Sequence, residues 1–226
     1  MRSEPQVSPA GRDGCRGAPR REPRPGIPGS VAGGFTIVEL LVVIGVLGML
    51  IGLLLPAIVA ARGASQRTAC LHNLREIGMV AQIYVNAHDH YPPAWINSTC
   101  RWMDLLKSCM DKTSDVYQCP SDPKKIPCTY DPTITLSYGI NSFCFVDQAH
   151  CFWYTVKSYD VLRPSNVILF ADCTPGNYWC GGGGQFSDPV AGVDYRHPGG
   201  MFNVAYADGR AESRTDTTQS DWDAAQ

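Results

Sequence analysis

Residues 33–41 read Gly-Gly-Phe-Thr-Ile-Val-Glu-Leu-Leu, and they open the longest apolar run in the chain. From Phe35 to Ala61 there are 27 residues and a single charged side chain, Glu39. Because about 20 apolar residues cross the hydrocarbon core of a bilayer, this run is long enough to span a membrane as a helix. We therefore predict a transmembrane helix over residues 35–61, which can later pack against copies of itself.

The carboxylate of Glu39 is the unusual feature of this span. Placing a carboxylate in an apolar helix costs roughly 2.5–3.5 kcal/mol on insertion scales, so it needs a partner or a role. A Gly-Gly pair preceded by basic residues lies directly upstream, which is typical of a processing site. Two interpretations stay open at this point: Glu39 pairs with another group in an assembly, or it reaches the membrane surface from an ordinary anchor.

Charge is distributed unevenly along the chain. Residues 1–34, the predicted leader peptide, contain six Arg and three acidic residues, and the remainder carries 13 basic and 18 acidic residues. An acidic remainder argues against nucleic-acid binding through a broad basic surface. The basic leader favours an N-terminus on the cytoplasmic side of a membrane. Arg62 and Arg67, which follow the span, weaken that indication, so orientation depends mainly on the processing motif.

Ten cysteines form the second compositional signal. Cys15 lies in the leader and Cys70 on the predicted helix, where we expect a free thiol or a link between subunits. An even set of eight follows: Cys100, Cys109, Cys119, Cys128, Cys144, Cys151, Cys173 and Cys180. An even count in a domain outside the cytoplasm predicts disulfides, and the sequence does not choose among their pairings. Because no two are spaced as Cys-x-x-Cys, a zinc ribbon is not predicted.

Beyond the span the apolar pattern becomes amphipathic. Leu71, Leu74, Ile77, Ala81 and Tyr84 recur at spacings of three and four, which predicts that the helix continues through residues 62–90 with one apolar stripe on the next domain. Residues 92–93, two prolines, end it. Within the span, a proline at position 56 has no N–H to donate and is expected to kink the helix.

The following domain, residues 91–214, is called the head below and reads as short strands joined by turns. Residues 166–172 and 202–207 are strand candidates, and Asp208-Gly209 is a strong turn signal before a return strand over residues 210–214. The polar tail, residues 215–226, is expected to fray. A long N-terminal helix packed on a small antiparallel sheet is an α+β architecture.

The motif Gly34-Phe35-Thr36-x-x-Glu39-Leu40 resembles the N-terminus of type IV prepilins and type II secretion pseudopilins. The resemblance implies cleavage between Gly34 and Phe35 by a prepilin peptidase, methylation of Phe35, and pairing of Glu39 with the terminal amine of a neighbouring subunit. It further implies a pilin-like fold in a single-pass protein of the bacterial inner membrane. The head would lie outside the cytoplasm or in an extracytoplasmic filament.

A narrower resemblance extends along the chain. Residues 70–78, 119–123, 137–141 and 196–209 are similar to segments of a bacterial pilin-like family with a C-terminal signature, a His and an Asp-Gly about nine residues apart. The signature residues here are His197, Asp208 and Gly209. Ten residues separate the His from the Asp, one more than the usual pattern, which leaves the hairpin loop uncertain.

Catalysis and metal binding find little support in the sequence. Without a Gly-x-Ser-x-Gly elbow, a His-Glu-x-x-His motif or a phosphate loop, we expect no enzyme and no cofactor. A dyad of His197 and Asp208 is conceivable, but a structural imidazole bonding across the turn is preferred. Asp188, Asp194 and Asp208 are loop oxygen donors for calcium, which takes six to eight oxygens, although EF-hand spacing is missing.

These observations favour a structural subunit of a type IV pilus-like or type II secretion pseudopilus-like assembly. Its expected partners are further copies of itself, a prepilin peptidase, the secretion or pilus machinery and the membrane, and not nucleic acid. An alternative is a membrane-anchored cell-envelope binding module that uses the leader only for sorting. A third is a secreted enzyme released after Ala60 or Ala61, for which the apolar region is oversized.

Overall fold

The structure, a computed structural model, describes residues 34–110, 115–144, 150–181 and 192–225. These residues form an α+β protein with one long N-terminal helix, α1 (Ile37–His88). The chain divides into two compact units, residues 1–48 and 49–226. Of the predicted leader, all but Gly34 lies outside the described residues.

The first half of α1 is an apolar rod that none of the described residues covers. Every large hydrophobic side chain from Phe35 to Val59 is exposed. Among the described residues, α1 is the one helix that is both long enough and apolar enough to cross a membrane. No residue of its most hydrophobic window is buried. A single-pass membrane protein is compatible with this arrangement. The helix continues through Pro56.

The second half of α1 is amphipathic and packs on the head. The buried residues fall on one face: Cys70, Leu74, Ile77, Gly78, Val80, Ala81, Tyr84 and Val85. The helix ends at His88, and Asp89 then adopts a positive φ of 62°, which closes the helix before the prolines. The helix thus extends through the segment predicted to be amphipathic and ends two residues before the predicted bound at residue 90.

A five-stranded sheet forms the centre of the head. Its order is β5-β3-β4-β6-β7. The bounds are β3 (Tyr138–Asn141), β4 (Ile168–Asp172), β5 (Trp179–Cys180), β6 (Phe202–Tyr206) and β7 (Ala211–Arg214). Neighbours pair antiparallel except β3 and β5, which run parallel. The expectation of a purely antiparallel sheet is wrong at this edge, because the chain reverses after β4 and passes β3 before it pairs.

Smaller elements surround the sheet. A two-stranded ribbon pairs β1 (Trp95–Asn97) with β2 (Cys100–Arg101), and α2 (Trp102–Lys107) follows directly. Short 3-10 helices occupy Asp115–Tyr117, Ser158–Asp160 and Gln219–Trp222. None of these elements was predicted from the sequence.

The tail contributes to the core. The Trp222 side chain is fully buried in a cluster with Phe202 and Val204 of β6. The side-chain amide of Asn141 donates to the carbonyls of both Ile168 and Trp222, at 2.8 Å each. Part of the tail that was expected to fray, residues 222–224, is therefore buried, since one large indole anchors an otherwise polar segment.

Candidate functional site

The candidate processing site lies immediately before α1. Gly34 is exposed and Phe35 is 76 % exposed, while the helix begins only at Ile37. The Gly34–Phe35 bond is thus in a non-helical, accessible segment. A peptidase needs such a segment, because a helical backbone bond is poorly available for cleavage.

Glu39 takes part in the N-terminal cap of α1, which begins at Ile37. The backbone N–H and the hydroxyl of Thr36 donate to Glu39 Oε2 at 2.8 Å and 2.7 Å, and the backbone N–H of Glu39 donates to Thr36 Oγ1 at 3.2 Å. This reciprocal arrangement is a capping box. The sequence carried its Thr-x-x-Glu signature, but our interpretation of Glu39 overlooked it. A carboxylate has about four acceptor sites, so it can cap the helix and still accept another donor.

The signature histidine is buried and fixed by strands on both sides. His197 Nε2 lies 2.9 Å from Asp172 Oδ2 and 2.8 Å from Asn203 Nδ2, and the side chains of His197 and Asp172 are inaccessible to solvent. Asp172 ends β4 and also accepts the backbone N–H of Asn203 at 2.6 Å. The imidazole therefore ties the turn at residues 197–201 to β4 and β6.

Asp208 and Gly209 serve a different turn, the one that joins β6 to β7. Asp208 is exposed, and its Oδ1 accepts the backbone N–H of Arg210 at 2.9 Å. Gly209 has a φ of 85° and lies against α1, where a Cβ on Gly78 would stand 3.3 Å from the Gly209 Cα. The structure thus gives His197 and Asp208 separate partners and brings Asp172, which sequence reasoning missed, to the histidine.

Two disulfides are present in the part of the chain that the structure describes. Cys70 on α1 bonds Cys119, with 4.9 Å between the Cα atoms, and Cys144 bonds Cys151, with 4.5 Å. The expectation that Cys70 stays unpaired within its own chain is therefore wrong, because α1 passes directly beside the turn that follows Cys119. Of the other predicted disulfide residues, the structure leaves these as thiols: Cys100, Cys109, Cys128, Cys173 and Cys180.

The Cys70–Cys119 bridge adjoins the signature histidine. Cys119 Sγ is 3.9 Å from His197 Nε2, and the Tyr138 hydroxyl donates to the Cys70 carbonyl at 3.3 Å. Burial raises the pKa of Tyr138 well above its ordinary value. Within the described parts of the chain, Cys70, Cys119 and His197 are spaced closely enough to ligate a metal. Their sulfurs are joined in a disulfide, however, and metal binding requires thiolates.

The calcium candidates do not form a described site. Asp194 Oδ2 pairs with the buried Arg196 guanidinium at 3.1 Å, and the same guanidinium lies 3.4 Å from Asp122 Oδ2. Asp208 belongs to the β6–β7 turn, and Asp188 lies outside the described residues. Calcium binding stays an untested prediction.

A shallow polar cavity of about 260 Å³ lies beside β7 and is lined by Ser165, Asn166, Tyr206, Arg210, Arg214, Ser220 and Asp221. Its cations are already paired. Arg214 lies 3.0 Å from Asp221, and Arg210 lies 2.6 Å from Glu212. The cavity therefore offers a ligand little uncompensated charge.

Comparisons with known proteins return no family model, no curated protein and no solved structure that matches this chain.

Proposed function

We propose that this chain is a structural subunit of a type IV pilus-like or type II secretion pseudopilus-like assembly, processed between Gly34 and Phe35. The observation that supports the proposal is the uncovered apolar half of α1, which carries one carboxylate at its start and an accessible Gly-Phe bond before it. No catalytic activity is part of the proposal.

The exposed apolar surface of residues 35–59 must be shielded from water. Soluble proteins rarely expose contiguous apolar patches larger than a few hundred Å², and such surfaces mark contacts with a membrane or another protein. In a bilayer, lipid covers residues 35–59. When the subunit leaves the bilayer, identical rods from neighbouring copies are the natural cover. Head-to-tail contacts of this kind need not close, and then they build a helical filament.

Glu39 would select the register between copies. Cleavage at Gly34 gives Phe35 a positive amine, and a carboxylate is its obvious partner in an apolar surrounding. The capping box already holds Glu39 at the helix start, so the carboxylate is positioned before a neighbour arrives. The competing role is capping alone, which needs no second copy.

A Glu39→Gln variant separates these two roles. Glutamine can take the acidic position of a capping box, so the variant keeps the cap while it loses the charge. We expect normal membrane insertion and at least a tenfold loss of filaments, as measured by fractionation and electron microscopy of cells that carry the prepilin peptidase and assembly machinery. Thr36→Ala is the matched control, since it removes the hydroxyl contacts but keeps the carboxylate, and it should assemble. Normal filaments from Glu39→Gln would overturn the proposed role.

A further inference from the structure

Two buried cysteines flank the reversal between β4 and β5. Cys173 directly follows β4, and Cys180 is the last residue of β5; both side chains are fully buried. The chain between them turns back on itself, with the Asn177 N–H donating to the Thr174 carbonyl at 3.0 Å and a positive φ of 85° at Gly176. The two cysteines therefore stand at the base of one short loop.

The Cys173 thiol lies beside Cys180. Cys173 Sγ donates to the Trp179 carbonyl at 2.9 Å, and that carbonyl is bonded to the nitrogen of Cys180. A Cβ at Gly192 would lie 3.7 Å from Cys173 Sγ and 3.8 Å from the Cys180 Cα. Burial, together with the adjoining Cys173 thiol, raises the pKa of Cys180 well above its ordinary value.

The strand between them makes room for a link. Gly139 lies on β3, which is flanked by β4 and β5. A Cβ at Gly139 would stand 2.8 Å from Cys173 Sγ and 2.8 Å from the Trp179 carbonyl carbon. The missing side chain at this position lets the sulfur of Cys173 lie across β3 toward β5.

We propose that Cys173 and Cys180 form a third disulfide. It would link the end of β4 covalently to β5, across the intervening strand β3. In the reaction the two thiols give up two protons and two electrons, a sulfur–sulfur bond forms between them, and a protein or small-molecule disulfide accepts the electrons and becomes two thiols. Such oxidants act outside the cytoplasm. Formation of this bond in the cell therefore rests on the proposed function, which places the head outside the cytoplasm.

The bond would stabilise the weakest edge of the sheet. β5 has two residues, and the backbone hydrogen bonds along this pairing, from Ile140 N to Tyr178 O at 3.1 Å and from Ser142 N to Cys180 O at 2.8 Å, extend one residue beyond the strands. A covalent link beside these hydrogen bonds fixes the strand without requiring a longer ladder.

Peptide mapping tests this pairing directly. Trypsin cuts after Lys and Arg but not before Pro, so peptide 158–196 contains Cys173 and Cys180 and no other cysteine. The full chain, purified in detergent, is oxidised with glutathione disulfide, denatured and then alkylated. We expect this peptide to carry no alkyl group and to be two hydrogens lighter than its reduced form. The Cys70–Cys119 bond, which joins peptides 68–75 and 113–124, is the internal control.

Variants provide the second readout. Cys173→Ser should leave Cys180 open to alkylation, whereas Cys128→Ser, a buried cysteine in peptide 126–157, should leave peptide 158–196 unchanged. Two alkyl groups on the wild-type peptide 158–196, or a bond from it to any other peptide, would overturn the proposal. The mapping uses purified protein that is oxidised in vitro, so its outcome does not depend on assembly. Absence of the disulfide would not contradict the filament role, and absence of filaments would not contradict the disulfide.

Discussion

Asp172 carries the buried polar contact on which the signature histidine depends. It sits at the end of a strand that was predicted correctly, but its partner His197 lies 25 residues further along the chain. The pairing of β4 with β6, together with the turn in which His197 pairs with Met201, brings the two side chains to 2.9 Å. A single sequence reveals the strands but not their order in the sheet. From the sequence, Asp208 is therefore the partner considered for His197, because it is closer along the chain than Asp172.

Replacing Asp172 with alanine should destabilise the protein strongly. The change leaves the imidazole of His197 and the N–H of Asn203 buried without their acceptor. Each buried donor that is left without an acceptor typically costs about 1–3 kcal/mol. Urea unfolding in detergent, followed by tryptophan fluorescence, measures the loss.

The control is Asp208→Ala, which removes an exposed turn carboxylate and should change the free energy of unfolding by about 0.5 kcal/mol or somewhat more. Equal losses from the two variants would contradict the assignment of Asp172 as the histidine's structural partner.

Whether the sequence predicts a helix or strand depends on the length of that element. The long helix and the strands β4, β6 and β7 follow from apolar periodicity and from the Asp208-Gly209 turn. The two- and three-residue strands β1, β2 and β5 carry no periodic signal, since so few residues show no pattern. Their pairing is imposed by tertiary contacts.

The packing of α1 on the β6–β7 hairpin depends on small residues. A Cβ at Gly78 would already stand 3.3 Å from Gly209 and 3.4 Å from the Ala205 Cβ. Gly78→Leu should therefore push the hairpin from the helix and cost about 1–3 kcal/mol, the usual range for overpacking. Thermal unfolding of the variant in detergent checks the expectation.

Met79 provides the matched site, because it is next in sequence and 46 % exposed. Met79→Leu should leave the unfolding midpoint nearly unchanged. A Gly78→Leu variant as stable as wild type would show that the helix and hairpin do not meet as described.

For the whole molecule, the Cys70–Cys119 disulfide joins α1 to the head over a separation of 49 residues. The sequence could not indicate this pairing, since cysteine spacing alone does not choose partners. Chain-entropy arguments give about 4 kcal/mol for closing a loop of this length, and about 2–3 kcal/mol for the Cys144–Cys151 loop.

Cys70→Ser should accordingly lower stability more than Cys144→Ser does. Denaturant unfolding of both variants under oxidising conditions compares them. If Cys144→Ser proved the more damaging, the helix-to-head bridge would not be the principal crosslink.

The mature N-terminus is the most direct test of the central claim, that an apolar helix with one carboxylate is released from its leader to assemble. Intact and peptide mass spectrometry of protein from cells with a prepilin peptidase should find a chain that starts at Phe35 with one methyl group on its amine. A chain that keeps residues 1–34, or one that starts near Arg62, would contradict it.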